Sequence, residues 1–148
     1  MLAALARPTL PMSNITSEEF TALIEAELPW AVDAGIKLHS IEYGEVTLGL
    51  PYQERSIRPG GSISGPHMMM LADATMYAVV LSMIGKVELA VTTSFNINFL
   101  RKPTESDLTA EGKIIKLGKR LAVLEVSIFS KEEIVAHATG TYSIPPDR

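Results

Sequence analysis

Asp73 lies in Met70-Leu71-Ala72-Asp73-Ala74-Thr75-Met76, a run in which packing alone gives a carboxylate no role. A buried, unpaired carboxylate costs several kcal/mol or takes up a proton. The plain alternative is that Asp73 points to a solvated edge or pairs with a distant Arg or Lys. The surrounding segment is apolar on nearly every side, so no solvated face is visible, and the residue reads instead as a candidate nucleophile or general base. Eight residues earlier, Ser64-Gly65-Pro66-His67 has the composition of a helix start: a Ser cap, then a Pro in the first turn. Unpaired N–H groups and the positive end of the helix dipole at such a terminus could polarise a carbonyl, although most helices carry an ordinary cap with no further duty. Eight helical residues span about 12 Å along the axis. One carbonyl cannot reach both Gly65 and Asp73 of the same chain, so joint action requires a second copy. A symmetric homodimer with two antiparallel helices and two equivalent sites is therefore expected.

Other chemistries find little support. The chain has 148 residues and no cysteine, which excludes a disulfide scaffold, a thiolate metal site and a cysteine nucleophile. His39, His67 and His137 show no ligand-like spacing, so no metal site is expected. The formal net charge of −4 lacks the broad basic footprint of nucleic-acid binding. Met68, Met69, Met70, Met76 and Met83 read as pliable core and pocket lining, and Tyr77, one turn after Asp73, as core. The first eleven residues make a poor secretory leader. The apolar stretch 68–84 is short for a membrane span and carries Asp73, at a cost of about 2.5–3.5 kcal/mol in mid-bilayer. A cytoplasmic protein with no membrane partner is the expectation.

The elements that must hold these residues follow from periodicity. Thr16-Ser17-Glu18-Glu19 has capping-box spacing, and Phe20, Leu23, Ile24 and Leu28 form the stripe of a short helix ending near Pro29. Alternation around Ile36–Tyr43 and Val46–Leu50 predicts two strands, with a bulge near His39-Ser40. Pro51–Gly61 reads as loop. A long buried helix runs from Ser64 to Ile84 with Gly85 as its C-cap. Four strands follow: one placing Val91, Thr93, Phe95, Ile97 and Phe99 on one face, then Leu108–Leu117, Leu121–Ser130 and Ile134–Tyr142. Gly118-Lys119 and Lys131-Glu132-Glu133 form the hairpin turns. The prediction is an α+β domain over 16–148, a curved antiparallel sheet wrapped round one long helix, after a flexible extension over 1–15.

Three motifs, Gly60-Gly61-Ser62-Ile63-Ser64-Gly65-Pro66-His67-Met68-Met69-Met70-Leu71-Ala72-Asp73-Ala74, Ala90-Val91-Thr92-Thr93 and Ile97-Asn98-Phe99-Leu100-Arg101, resemble the hotdog-fold acyl-CoA thioesterases of the phenylacetate-pathway type, related to 4-hydroxybenzoyl-CoA thioesterase. The resemblance implies a hotdog fold, hydrolysis of a small or medium-chain acyl-CoA, aliphatic or aromatic, to free acid and CoA, and assembly as a dimer of dimers. It implies no cofactor. By position it makes Asp73 the catalytic carboxylate, Gly65 the residue whose N–H polarises the thioester carbonyl, and Thr92 a hydroxyl that orients the attacking water. This chain has Ser64-Gly65-Pro66 where the family commonly has His-Gly-Gly, and Arg58 where it often has Asn; His67 is the nearest imidazole. A thiolate leaves readily, so a carboxylate and an oxyanion donor suffice without a triad. Ser64 and His67 are expected at the substrate, and Arg58, Arg101, Lys102, Lys119 and Arg120 are candidates for the CoA phosphates, against a plain reading as solvated turn charges. The alternatives to a thioesterase are a non-catalytic acyl-CoA binder and a hotdog dehydratase, which usually needs a His paired with an acid.

Overall fold

The computed structural model describes residues 11–146. The capping box forms as predicted: Thr16 accepts from the Glu19 N–H at 3.0 Å and Glu19 reaches back to the Thr16 N–H at 3.3 Å, opening α1 (Ser17–Glu27) with Phe20, Leu23 and Ile24 buried. Pro29 does not simply stop the chain. It occupies the first turn of a second helix, α2 (Pro29–Ala34), where a missing N–H and a fixed φ are no hindrance. The chain before Thr16 is not wholly loose. Asn14 donates its N–H to the Ser82 carbonyl at 2.7 Å and Ile15 is buried, so the extension expected over 1–15 is docked at its inner end. Residues 1–10 of that extension lie outside the described residues.

The strands β1 (Lys37–Glu42) and β2 (Glu45–Leu50) pair with the expected bulge, their register slipping between Leu38 and Ser40. The segment read as plain loop contains a 3₁₀ turn (Glu54–Ser56) and a two-residue hairpin, β3 (Ile57–Arg58) with β4 (Ser62–Ile63). Pro59, Gly60 and Gly61 form its tip and hide it from a periodicity reading. The long helix α3 (Gly65–Ile84) follows, capped by Ser64 and ended at Gly85, whose φ of 83° suits glycine. Then come β5 (Val91–Phe99), β6 (Leu108–Leu117), β7 (Leu121–Ser130) and β8 (Glu133–Ser143).

One antiparallel six-stranded sheet, in the order β1-β2-β6-β7-β8-β5, packs its inner face on α3. Inward side chains of every central strand (Val46 and Leu48, Ala110, Leu124 and Val126, Ala136 and Ala138) meet Leu71, Met76, Val79 and Val80. The helix is apolar and long enough to cross a membrane by composition alone, yet most of it is buried within the molecule. Two strand positions bring the sheet close. A Cβ on Gly112 would sit 2.6 Å from Thr75 Cγ2, and one on Gly140 would sit 2.6 Å from Met76 Sδ. The turn Lys131-Glu132 has φ of 47° and 69°, a primed hairpin turn built without glycine.

The face assignment for β5 needs correction. Its register against β8 slips between Thr92 and Ser94, so a bulge at Thr93 resets the alternation. Val91 and Thr93 do not share a face with Phe95 and Ile97. Thr92 turns toward α3 instead, and Val91 is largely exposed.

Candidate active site

The bulge in β5 and the register of β5 on β8 decide what surrounds Asp73. Thr92 and Tyr142 are cross-strand partners, and both side chains reach the carboxylate. Thr92 Oγ1 donates to Asp73 Oδ1 at 2.7 Å, and the Tyr142 hydroxyl donates to the same oxygen at 2.8 Å, lying also 3.1 Å from the Asp73 carbonyl. Two hydrogen bonds to an ionised acceptor stabilise the charge that the apolar helix would otherwise reject. Oδ2 accepts no hydrogen bond among the described residues, and Asp73 is only half-buried, so this oxygen remains for chemistry.

The tyrosines behind it are locked as donors. Burial first, and then the Asp73 charge, push the Tyr142 hydroxyl far above the usual tyrosine range. Tyr77 stacks on Tyr142 with ring centroids 6.3 Å apart and donates to the Glu88 carbonyl at 3.2 Å; burial, with Glu88 and Glu27 adding to it, pushes it up to about 12. Tyr77 thus does not bond Asp73 directly, in keeping with its reading as core. Tyr142 was the residue that sequence reasoning missed. It is 69 positions from Asp73, and only the sheet register joins them.

The other half of the chemistry lies at the start of α3. Ser64 Oγ accepts from the His67 N–H at 3.4 Å and lies 2.5 Å from His67 Nδ1. Phe99 covers Gly65: a Cβ there would come within 3.2 Å of its ring. On this flank a groove of about 390 Å³ has an apolar floor of Ile63, Met68, Phe99 and Leu100, with Arg58, Arg101 and Lys102 at its rim. Arg101 also pairs with Glu133 at 2.7 Å, both side chains exposed. A second groove of about 240 Å³, on the other flank, holds His67 and Met70 with Trp30, Asp33 and Arg55.

Within one chain, then, the structure lines one groove with Gly65, Arg58 and Arg101, sets Ser64 on His67 at the same helix start but toward the other flank, and brings Thr92 to Asp73, keeping this second set apart from the first. Lys119 and Arg120 belong with the second set. They form the turn before Leu121, which pairs with Ser143 beside Tyr142 and Val91. His39 sits over Gly49 and His137 lies 3.3 Å from Glu125, both away from Asp73. Among the described residues no group of three or more His, Asp or Glu side chains clusters as a metal site would.

Known proteins match this chain in sequence and fold. The model of the thioesterase superfamily matches residues 60–137, from the tip of the β3–β4 hairpin through α3 to β8. A protein of Saccharolobus solfataricus named "Putative esterase SSO1253" is 33% identical over 112 residues, covering 74% of this chain and 73% of its own. A solved structure from Silicibacter sp. TM1040, titled as that of a "putative thioesterase", is 39% identical, covers 93% of this chain and all of its own, and superposes with a TM-score of 0.82. The E. coli PaaI protein of the phenylacetic acid degradation operon shares the fold, with a TM-score of 0.79 at 21% identity over 87% of this chain and 93% of its own. The long helix held in a curved antiparallel sheet is thus the hotdog fold, and the chain belongs to the thioesterase superfamily.

Proposed function

We propose that this protein hydrolyses acyl-CoA thioesters of small or medium acyl groups, releasing the free acid and CoA, and that it does so as a two-fold homodimer. The observation that carries this reading is the Asp73 carboxylate, fixed by Thr92 and Tyr142 through Oδ1 with Oδ2 left open. Oδ2 takes a proton from water as the water oxygen attacks the thioester carbonyl; the tetrahedral intermediate then collapses with cleavage of the C–S bond, and the proton passes from Asp73 to the departing thiolate. The oxygen that gains charge is held by the Gly65 N–H at the positive end of α3.

The sheet supports the dimer. β5 lies at its edge, hydrogen-bonded to β8 on one side only, and an unpaired nine-residue strand is a template for another strand. Thr92, at one end of β5, touches Asp73; Phe99, at the other, covers Gly65. Antiparallel pairing of β5 with its own copy sets Thr92 of one chain opposite Phe99 of the other. That joins the Asp73 locus of each chain to the Gly65 locus of its neighbour. The exposed apolar residues Leu89, Val91 and Leu121 at one end then meet Phe99, Leu100 and Ile134 at the other. The same pairing gathers Arg58, Arg101 and Lys102 of one copy with Lys119 and Arg120 of the second, a cationic rim suited to the CoA phosphates.

Thiol release from a panel of acyl-CoAs tests the reading. Turnover well above the uncatalysed rate with at least one small or medium acyl group is expected. Saturable binding without thiol release would instead make the protein an acyl-CoA binder, and hydration of an enoyl-CoA a dehydratase.

A further inference from the structure

The start of α3 has fewer donors than a helix end normally offers. The Ser64 N–H is bonded to the Ser56 carbonyl at 2.8 Å, Pro66 has no N–H, the His67 N–H is bonded to Ser64 Oγ, and the Met68 N–H to the Ser64 carbonyl at 3.3 Å. Of the first-turn amides only that of Gly65 is uncommitted among the described residues. One amide is a sparse cradle for an oxygen that gains charge in the transition state. The hydroxyl beside it is Ser64, half-buried and 2.5 Å from the His67 ring.

We propose that the Ser64 hydroxyl is the second donor to the thioester oxygen, beside the Gly65 N–H, and that His67 is the positioning residue that turns it. The inference rests on the hydrolytic reading above. Ser64 Oγ has one proton. In the proposed switch the neutral ring carries its one proton on Nε2, so bare Nδ1 accepts the Ser64 proton in a hydrogen bond and the hydroxyl faces away from substrate. Once Nδ1 carries a proton, the ring becomes the donor, Oγ accepts, and the hydroxyl proton is released toward the carbonyl. The charged groups around the ring are Asp33 from α2 and Arg55 from the 3₁₀ turn, which share its groove. Arg58 of β3 lies on the opposite flank, in the groove with Arg101 and Lys102, and the dimer proposed above would bring Asp73 of the second copy to this end of α3. Imidazole changes charge between pH 5 and 8, and the site tyrosines, pushed far upward, stay protonated across that window.

The test is a pH series, from about 5.5 to 9, of kcat and KM for one accepted acyl-CoA. It compares the wild type with Ser64→Ala, Ser64→Thr and His67→Phe, and follows the thermal midpoint of each. Ser64→Ala is expected to lower kcat about 10²-fold with little change in KM, because the donor acts on the transition state. Ser64→Thr, which keeps hydroxyl and cap, restores most of that loss. Wild-type kcat falls on the alkaline side as the ring loses its proton, and this limb vanishes in His67→Phe, where no acceptor competes for the hydroxyl. Unchanged kcat in folded Ser64→Ala, or an alkaline limb persisting in His67→Phe, overturns the proposal. An acyl-Ser64 adduct trapped by acid quench also overturns it, since Ser64 is then the nucleophile. If the wild type itself releases no thiol, the hydrolytic reading fails and this one with it; wild-type turnover indifferent to Ser64 defeats this one alone.

Discussion

The two halves of the proposed chemistry are held in opposite ways. Asp73 stands in the middle of α3, under a sheet, and is gripped by hydroxyls from two different strands. Gly65 stands at the end of α3 among a short hairpin, a 3₁₀ turn and two open grooves, and its contribution is backbone. The difference follows from cost. A charge placed against an apolar core needs partners supplied from far along the chain, which only fixed register delivers. A donor at a helix end comes with the helix, whatever the neighbouring side chains are. The Asp73 locus should therefore tolerate little, and the Gly65 locus should tolerate change except where bulk fills the cradle or the Ser64 hydroxyl is lost.

The sharpest break is Asp73→Asn, which keeps shape and hydrogen bonding but removes the base. Thiol release should fall about 10²–10⁴-fold with the far-ultraviolet circular dichroism unchanged. An undiminished rate would remove Asp73 from the chemistry. Next is Gly65→Val, whose added methyls run into Phe99 and the oxygen's place; a loss of about 10²–10³-fold is expected. These two variants also sharpen the comparison together. If each site takes one residue from each copy, refolding them as a mixture restores roughly a quarter of wild-type activity, since half of random pairs are mixed and each carries one intact site. Failure to restore any activity would place both residues' work within a single chain.

Tyr142→Phe has a smaller effect, mostly on stability. It removes a hydroxyl bonded to an ionised carboxylate and should cost about 1.5–3 kcal/mol in urea unfolding. The wild type should also weaken at high pH. Tyr77 and Tyr142 hold their protons more tightly folded than unfolded, so their stabilisation is complete below about pH 10 and is lost as pH rises through the folded values, the first near 12. Tyr142→Phe should flatten that decline. Smallest of all is Arg101→Glu, an exposed cation at the Gly65 groove. KM for acyl-CoA should rise about two- to fivefold, with no change for a short thioester lacking the nucleotide. Equal effects on both substrates would remove the phosphate role.

Much of the frame was legible in the chain itself because it rests on local rules. The capping box at Thr16 and Glu19, the Ser64 cap with Pro66, and the alternation of β6 and β7 each place an element within a residue or two. Asp73 stood out for the same reason: it breaks a local pattern. What escaped was non-local or disguised. Pro29 reads as a stop until the next turn is seen to begin on it, and Pro59-Gly60-Gly61 mask a hairpin of two residues a side. The Thr93 bulge leaves no compositional trace, so Thr92 could be placed beside Asp73 only through the family resemblance. Tyr142 looked like any strand-end aromatic, since its bond to Asp73 depends on the β5–β8 register.

Gly112 and Gly140 add no side chain to the site, yet they govern how deep the helix sits. Side chains there would strike Thr75, Val79 and Met76, the residues flanking Asp73 on the next turns. Any such addition would lift the rod off the sheet and draw the carboxyl group out of reach of both hydroxyls. The depth of the acid is thus gauged from the rear, by two positions that contribute through the atoms they lack.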